Sequence, residues 1–454
     1  MSEGFAAAMR SVRRGSYALS GLVTAREVDD ACREEGYRGQ AILYTPITTL
    51  HTFLAQLLGD DGSCQQAVNG LIAERTAADK SKCSADTGGY CKARSRIPEA
   101  VYWRLARNSG RAVDEQAADK LLWNKLRVRV VDGSTSKIAD TEANRREYPL
   151  QQNLRPGLHY PVVRFLVIFS LAVGTVLDAA IRPYQGKGTG ETGMLRELAE
   201  NFAPGDVILG DRYYAGYWDI AFWLNRGVHL VSRWPASRQL DFRRGRQLGP
   251  GDYLLTWHKT DRPDWLDKET ARDYPATLSI RVVQLKIDIP GFRVKEVLVI
   301  TTLTDAQTYS RESLCELYRR RWQAELNLRS LKTHLGLEQL RCKTPEMVRN
   351  EFAMYLLAYN CVRRVAHEAT AIHNVLPHEI SFKHTLQTIN EFFRRFHHTN
   401  FTTWLTNLLD NLVEVKVANR PNRIEPYTCK TRPKDFPPTN EPRADYKRRI
   451  TNNF

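Results

Sequence analysis

Leu126-Arg127-Val128-Arg129-Val130-Val131-Asp132-Gly133-Ser134 alternates apolar and basic residues, then stops at an acid followed by glycine. A period of two marks a strand with one face buried, so this stretch reads as a β-strand with Asp132 at its end. Outward from it, Phe165–Leu171 and Gly174–Ile181 read as two more strands joined by a short connection, and Met194–Phe202 as a helix. Asp206–Asp211 is a buried strand closing on a second carboxylate, followed by a helix over Tyr217–Arg226 and a strand over Val228–Val231. This order predicts an α/β fold, a mixed sheet flanked by helices. Asp132 and Asp211 both fall where the chain leaves a strand, where such sheets hold functional groups.

The flanking sequence has a different texture. Residues 1–120 are helical in pattern: Thr45-Pro46 opens Ile47–Leu58 with apolar residues at helical spacing, and a polar stretch, 77–90, separates it from Val101–Leu105. They read as a helical N-terminal domain, a DNA-binding module beside a basic catalytic region or, as the alternative, a plain packing domain. Core residues 121–231 are interrupted by a β-rich insertion, 232–300, whose short alternating segments include Asp252–Trp257, Leu278–Val283 and Glu296–Ile300. The core resumes over 301–372, and 373–454 form a helical segment with an irregular basic tail. Residues 416–450 hold ten Lys or Arg against four Asp or Glu.

The 454 residues are 42% apolar and 26% charged, ordinary for a globular protein with ample core. Sixty-six basic against 51 acidic residues leave a net charge of +15, which favours polyanionic partners, nucleic acid foremost. The eight cysteines lack the C-x2-C spacing of zinc modules. They read as reduced, mostly buried thiols of a cytoplasmic protein, with a structural role for Cys83 and Cys91 favoured over a bond between them. Arg10, Arg13 and Arg14 precede no apolar run, and Phe165–Leu177 is too short to span a bilayer. Secretion and membrane insertion are therefore not expected.

The chemistry is carried by Tyr318-Arg319-Arg320-Arg321-Trp322-Gln323-Ala324-Glu325-Leu326-Asn327-Leu328-Arg329-Ser330-Leu331-Lys332. At about 100° per residue, Tyr318, Arg321, Glu325 and Lys332 share a helical sector about 60° wide. A carboxylate among arginines often only neutralises charge. Here Leu317, Leu328, Leu331 and Leu335 give the helix an apolar stripe to pack on, which leaves the charged face for a ligand. Three acids from distant points suit a pair of divalent cations, because Mg²⁺ prefers hard oxygen ligands and keeps positions for water and phosphate.

The spacing Y-x2-R-x3-E-x6-K, filled by Tyr318, Arg321, Glu325 and Lys332, resembles the signature of DDE transposases of bacterial insertion sequences. Val131-Asp132-Gly133-Ser134 and Gly210-Asp211-Arg212-Tyr213-Tyr214 stand where that family has its two aspartates. Thr87–Arg94 and Lys187–Glu191 are similar to other stretches common in its members. The resemblance implies an RNase H-like core interrupted by a β-rich insertion. It also implies Mg²⁺-dependent DNA cleavage and joining, with two ions and Mn²⁺ as a substitute, by a homodimer on terminal inverted repeats and target DNA. On it, Asp132, Asp211 and Glu325 are the catalytic metal ligands. Tyr318, Arg321, Lys332 and Arg212 contact DNA, and in members that form a hairpin a flipped base stacks on an insertion-domain tryptophan, a part open to Trp257 or Trp234 with core packing as the alternative for either.

Gly188-Thr189-Gly190-Glu191-Thr192-Gly193 also fits the G-x-G-x-x-G of dinucleotide sites. No strand runs straight into it, which argues against that reading. Two rival functions share the fold: an RNase H-like nuclease, and a transposase-derived DNA-binding protein that has lost its chemistry. The three intact acids argue against the second.

Overall fold

Strand β1, Val128–Ile138, is the spine of the sheet in the computed structural model, which describes residues 2–11, 21–39, 42–151, 159–235, 238–286, 296–394, 400–417 and 441–451. Its first four residues are all buried, so both faces are covered here and not the one face that the alternation predicts, with Arg129 held by Asp206 at 3.3 Å. The strand does not stop at Asp132. Gly133, Ser134, Thr135 and Ser136 stay paired with Leu166, Phe165, Arg164 and Val163 of the antiparallel neighbour, so Asp132 is an interior strand residue and the expected turn is absent. An Asp-Gly pair bends a chain only where no partner strand claims its backbone groups.

Eight more strands follow it in the sheet: β2 (Val162–Ser170), β3 (Val176–Pro183), β4 (Val207–Gly210), β5 (His229–Arg233), β6 (Arg246–Gly249), β7 (Asp252–His258), β8 (Thr277–Lys286) and β9 (Glu296–Thr301), and a two-residue strand, Gln339–Leu340, comes later in the chain. They lie in the order β3-β2-β1-β4-β5-β9-β8-β7-β6. β1 is antiparallel to β2 and parallel to β4, which is parallel to β5. This is the arrangement of an RNase H-like sheet. The β-rich stretch continues the same sheet, because β9 pairs antiparallel with β5 and β8, β7 and β6 follow in antiparallel succession. Arg281 of β8 is fully buried and held by Asp252 of β7 through 2.8 and 2.5 Å bonds.

The chain folds as two compact units. One contains the sheet, over 122–171 and 179–325, together with the helix Arg443–Thr451. The other is helical, over 2–121, 172–178 and 326–417. Its axis is the 29-residue helix Pro345–His373, capped by Thr344, begun by proline and ended by Asn374 in the left-handed region at φ 52°. Against it pack helices Pro46–Leu58, Glu99–Glu115, Phe382–Arg394 and Phe401–Glu414. Gly110 permits this packing, since a Cβ there would collide with the Val176 carbonyl oxygen. Asn360 fastens the same spot, accepting from the Val176 amide at 2.8 Å and donating to the Val176 and Ala106 carbonyls.

Of the basic tail, 418–440 lie outside the described residues. No described helix is long and apolar enough to cross a membrane.

Candidate active site

Val130 of β1 is paired with Leu209 of the parallel strand β4. Two residues beyond each is an acid, Asp132 still inside β1 and Asp211 one residue past the end of β4, so both stand at the same end of neighbouring parallel strands. Asp211 caps the single turn Arg212–Tyr214, accepting from the Arg212 amide at 2.6 Å, and its carbonyl receives the Ser232 hydroxyl from β5. Asp132 accepts from the Gly133 amide at 3.0 Å.

A further acid, Glu191, joins them. It opens the helix Glu191–Glu197, and the buried Tyr214 hydroxyl donates to it at 3.2 Å. Its carboxyl lies over Gly133, where a Cβ would come within 2.5 Å of Cδ and Oε1. Glycine at 133 therefore makes room for an acid beside Asp132. In the sequence Glu191 stands out only within the Lys187–Glu191 run and the glycine pattern around it, neither of which marks it as an acid beside Asp132.

Glu325 belongs to the helix Trp322–Arg329, which follows Arg311–Arg320 after a break at Arg321. Arg321 Nη2 bonds Glu325 Oε1 at 2.8 Å. The same guanidinium also acts electrostatically on Asp132, Asp211 and Tyr318. Burial raises Asp132 to about 6; Arg321 and the Gly133 amide oppose this, while Glu191 and Glu325 add to it. Burial likewise raises Glu191, against the Tyr214 hydrogen bond and Arg164, with Asp211 adding to the rise. Burial raises the Tyr318 phenol too, against Arg321. Burial thus outweighs the local cations and hydrogen bonds at each of the three groups.

The uniform helical wheel does not extend to Lys332. Ser330–His334 form a π-helical turn, closed by Leu335 N–H to Ser330 O at 3.1 Å, and the widened turn ends the 100° spacing. Lys332 is part of the helical unit. Leu317, Leu328, Leu331 and Leu335 are all buried, as their spacing predicts. Arg212 is exposed beside Tyr213. Trp234 is buried, donating to the Arg238 carbonyl, whereas Trp257 is half-buried with its ring edge-on to Trp234 at 5.1 Å and to Tyr217 at 5.8 Å.

The donor set fits a hard divalent cation: neighbouring carboxylates, one raised to about 6 chiefly by burial. The geometry is not that of a finished cage, since among the described residues no three His, Cys, Asp or Glu side chains are drawn to metal-binding distance. Glu325 is instead engaged by Arg321.

Residues 123–361, more than half of the chain, match the family model of the transposase DDE domain. The chain belongs to the DDE transposases. Among related transposases is InsG of insertion sequence element IS4 from Escherichia coli (strain K12). It is 24% identical over 327 residues, 69% of this chain and 70% of the relative. A cryo-EM structure of a piggyBac transposase synaptic complex with hairpin DNA aligns with a TM-score of 0.41 and 11% identity, covering 87% of this chain and 84% of that one. As a DDE transposase, the chain is a DNA transposase of the insertion-sequence type, and DNA is the substrate to which its +15 charge is suited.

Proposed function

We propose that this transposase is catalytically active, with Asp132, Asp211 and Glu325 holding two Mg²⁺ ions, or Mn²⁺ in their place, against the phosphates at the ends of an insertion element. The observation that carries the reading is the placement of Asp132 on β1 and Asp211 just past the end of the adjacent parallel strand β4, with Glu191, Glu325 and Arg321 in electrostatic contact around them. When bound, the ions supply activation of a hydroxyl nucleophile and stabilisation of the leaving oxygen in an in-line displacement at phosphorus.

The chain's own groups do the rest. Glu191, oriented by Tyr214, fixes the setting of Asp132 through its contact with Gly133. Arg321 exchanges its bond to Glu325 for a phosphate oxygen, which releases that carboxylate to bind metal. Tyr318, Arg212 and Lys332 contribute further backbone contacts, and the half-buried ring of Trp257 offers a stacking face to a displaced base. The helical N-terminal domain, residues 1–120, reads the terminal inverted repeats, and two copies act together on paired ends in the bacterial cytoplasm.

The test is incubation with Mg²⁺ and a DNA fragment carrying the element's terminal repeats, followed by strand mapping. Joined products are expected. Asp132→Ala, Asp211→Ala and Glu325→Ala should each abolish cleavage while sparing DNA binding, and cleavage retained by any of the three overturns the assignment. Nicks without joining identify a nuclease instead. Lys332→Ala should lower the slope of log affinity against log salt by about one.

A further inference from the structure

Away from the acids, the helical unit holds a second group of reactive side chains. Cys64 is the first residue of the 14-residue helix Cys64–Ala77, behind the Ser63 cap, and Cys91 lies in the helix Gly88–Arg96. Their sulfurs are 3.9 Å apart, and both residues are partly exposed. Arg94 reaches between them, its Nη2 lying 3.4 Å from Cys64 Sγ and 3.7 Å from Cys91 Sγ. That guanidinium is buried and rests on the rings of Phe53 and Tyr90 at 4.6 and 4.8 Å. Among the described residues no carboxylate lies within ion-pair distance of it, whereas buried arginines ordinarily have one. The buried Glu351 carboxylate acts on it from beyond that distance, and the two sulfurs are in direct contact with it.

We propose that Cys64 and Cys91 are a modification site, a thiol pair that a peroxide converts to a disulfide and a dithiol restores. One thiolate attacks a peroxide oxygen, so an S–O bond forms, the O–O bond breaks and the departing oxygen leaves as water after taking up a proton. The second thiol attacks the resulting sulfenic sulfur, the S–S bond forms, the S–O bond breaks and a second water leaves. Overall, two thiols and one hydrogen peroxide give one disulfide and two waters. Closing the bond requires the sulfurs to approach by about 2 Å, to the length of about 2.05 Å, which side-chain rotation can supply.

The helix N-terminus and Arg94 both favour the thiolate that begins this sequence. Burial raises the Cys64 thiol and Arg94 opposes that rise, so Cys64 rests mainly as the thiol and oxidises slowly. Cys342 also faces Arg94, but burial and its bond to Glu351 hold it firmly in the thiol form. The bond would tie the start of one helix to the middle of another, across a loop that contains Cys83, and so reinforce the N-terminal helices.

The full-length protein, reduced and then treated with hydrogen peroxide, would be alkylated with N-ethylmaleimide, digested without reductant and mapped by mass spectrometry. The expected product is a Cys64–Cys91 linked peptide pair lighter by two hydrogens and released by dithiothreitol, with a thermal midpoint that rises on oxidation and falls back on reduction. Cys64→Ser and Cys91→Ser should each show neither the link nor the rise. Full alkylation of both cysteines after peroxide, or preferred linkage of either to Cys83 or Cys342, overturns the proposal. Because the readout is a covalent bond, it does not depend on the cleavage assay.

Discussion

Arg321 Nη2 and Glu325 Oε1 are 2.8 Å apart, and that guanidinium also bears on Asp132 and Asp211. One cation therefore serves three acids proposed to bind metal. If it competes with the metal, removing it should improve metal binding: Arg321→Gln is expected to tighten Mn²⁺ binding in the absence of DNA by about tenfold, on the order of 1.4 kcal/mol. A calorimetric titration giving unchanged or weaker affinity would mean that Arg321 is not a stand-in for the ion.

Gly133 is where the sheet yields to Glu191. A Cβ at 133 would meet the Glu191 carboxyl at 2.5 Å, so Gly133→Ala should push that side chain off Tyr214 without disturbing the strand, which accepts alanine readily. Cleavage of end-sequence DNA should fall by about ten- to a hundredfold, as expected for a displacement of the order of 1 Å beside the reacting groups, with the circular dichroism spectrum unchanged. A full-rate variant would remove Glu191 from the site.

The buried pair Arg281–Asp252 holds β7 to β8 with bonds of 2.8 and 2.5 Å. Asp252→Ala leaves the guanidinium buried with only the Tyr309 and Asp305 carbonyls for partners, and should destabilise the sheet unit by about 3–5 kcal/mol. Urea unfolding followed by tryptophan fluorescence reads this directly. A loss under about 1 kcal/mol would show that solvent reaches Arg281.

His51 is buried in the helical unit, with Nε2 2.7 Å from the Val23 carbonyl, and burial pushes its pKa down to about 4. The unfolded chain takes up the proton near pH 6.5, whereas the folded one resists until about 4. The stabilisation is therefore complete above about pH 6.5 and is lost as the pH falls through 4, amounting to about 3 kcal/mol. His51→Gln should flatten that part of the profile: the difference in thermal midpoint between variant and wild type should shrink steadily from pH 7 to pH 4. A constant difference would assign the acid sensitivity to other groups.

The sequence could locate Asp132 and Asp211 because each follows a run of strand-forming apolar residues, and Glu325 because its neighbours repeat at helical spacing. It could not give the end of β1, since Asp-Gly has a turn's local preference and only pairing with β2 overrides it. Nor could it foresee the π turn at Ser330–His334, because a wheel assumes uniform pitch and the widened turn has no signature in residue type. Glu191 was concealed for a similar reason: its partners, Tyr214 and the space above Gly133, are distant in the chain.

By itself the sequence determined the mixed sheet, the helical flank, the basic charge and the three spaced acids, because periodicity and composition are local properties that survive without partners. The tertiary structure alone decided which acids share a neighbourhood, that Arg321 occupies Glu325, and that Cys64 meets Cys91 rather than Cys83 meeting it. Those facts depend on strand register and helix packing, which bring residues together irrespective of their separation along the chain.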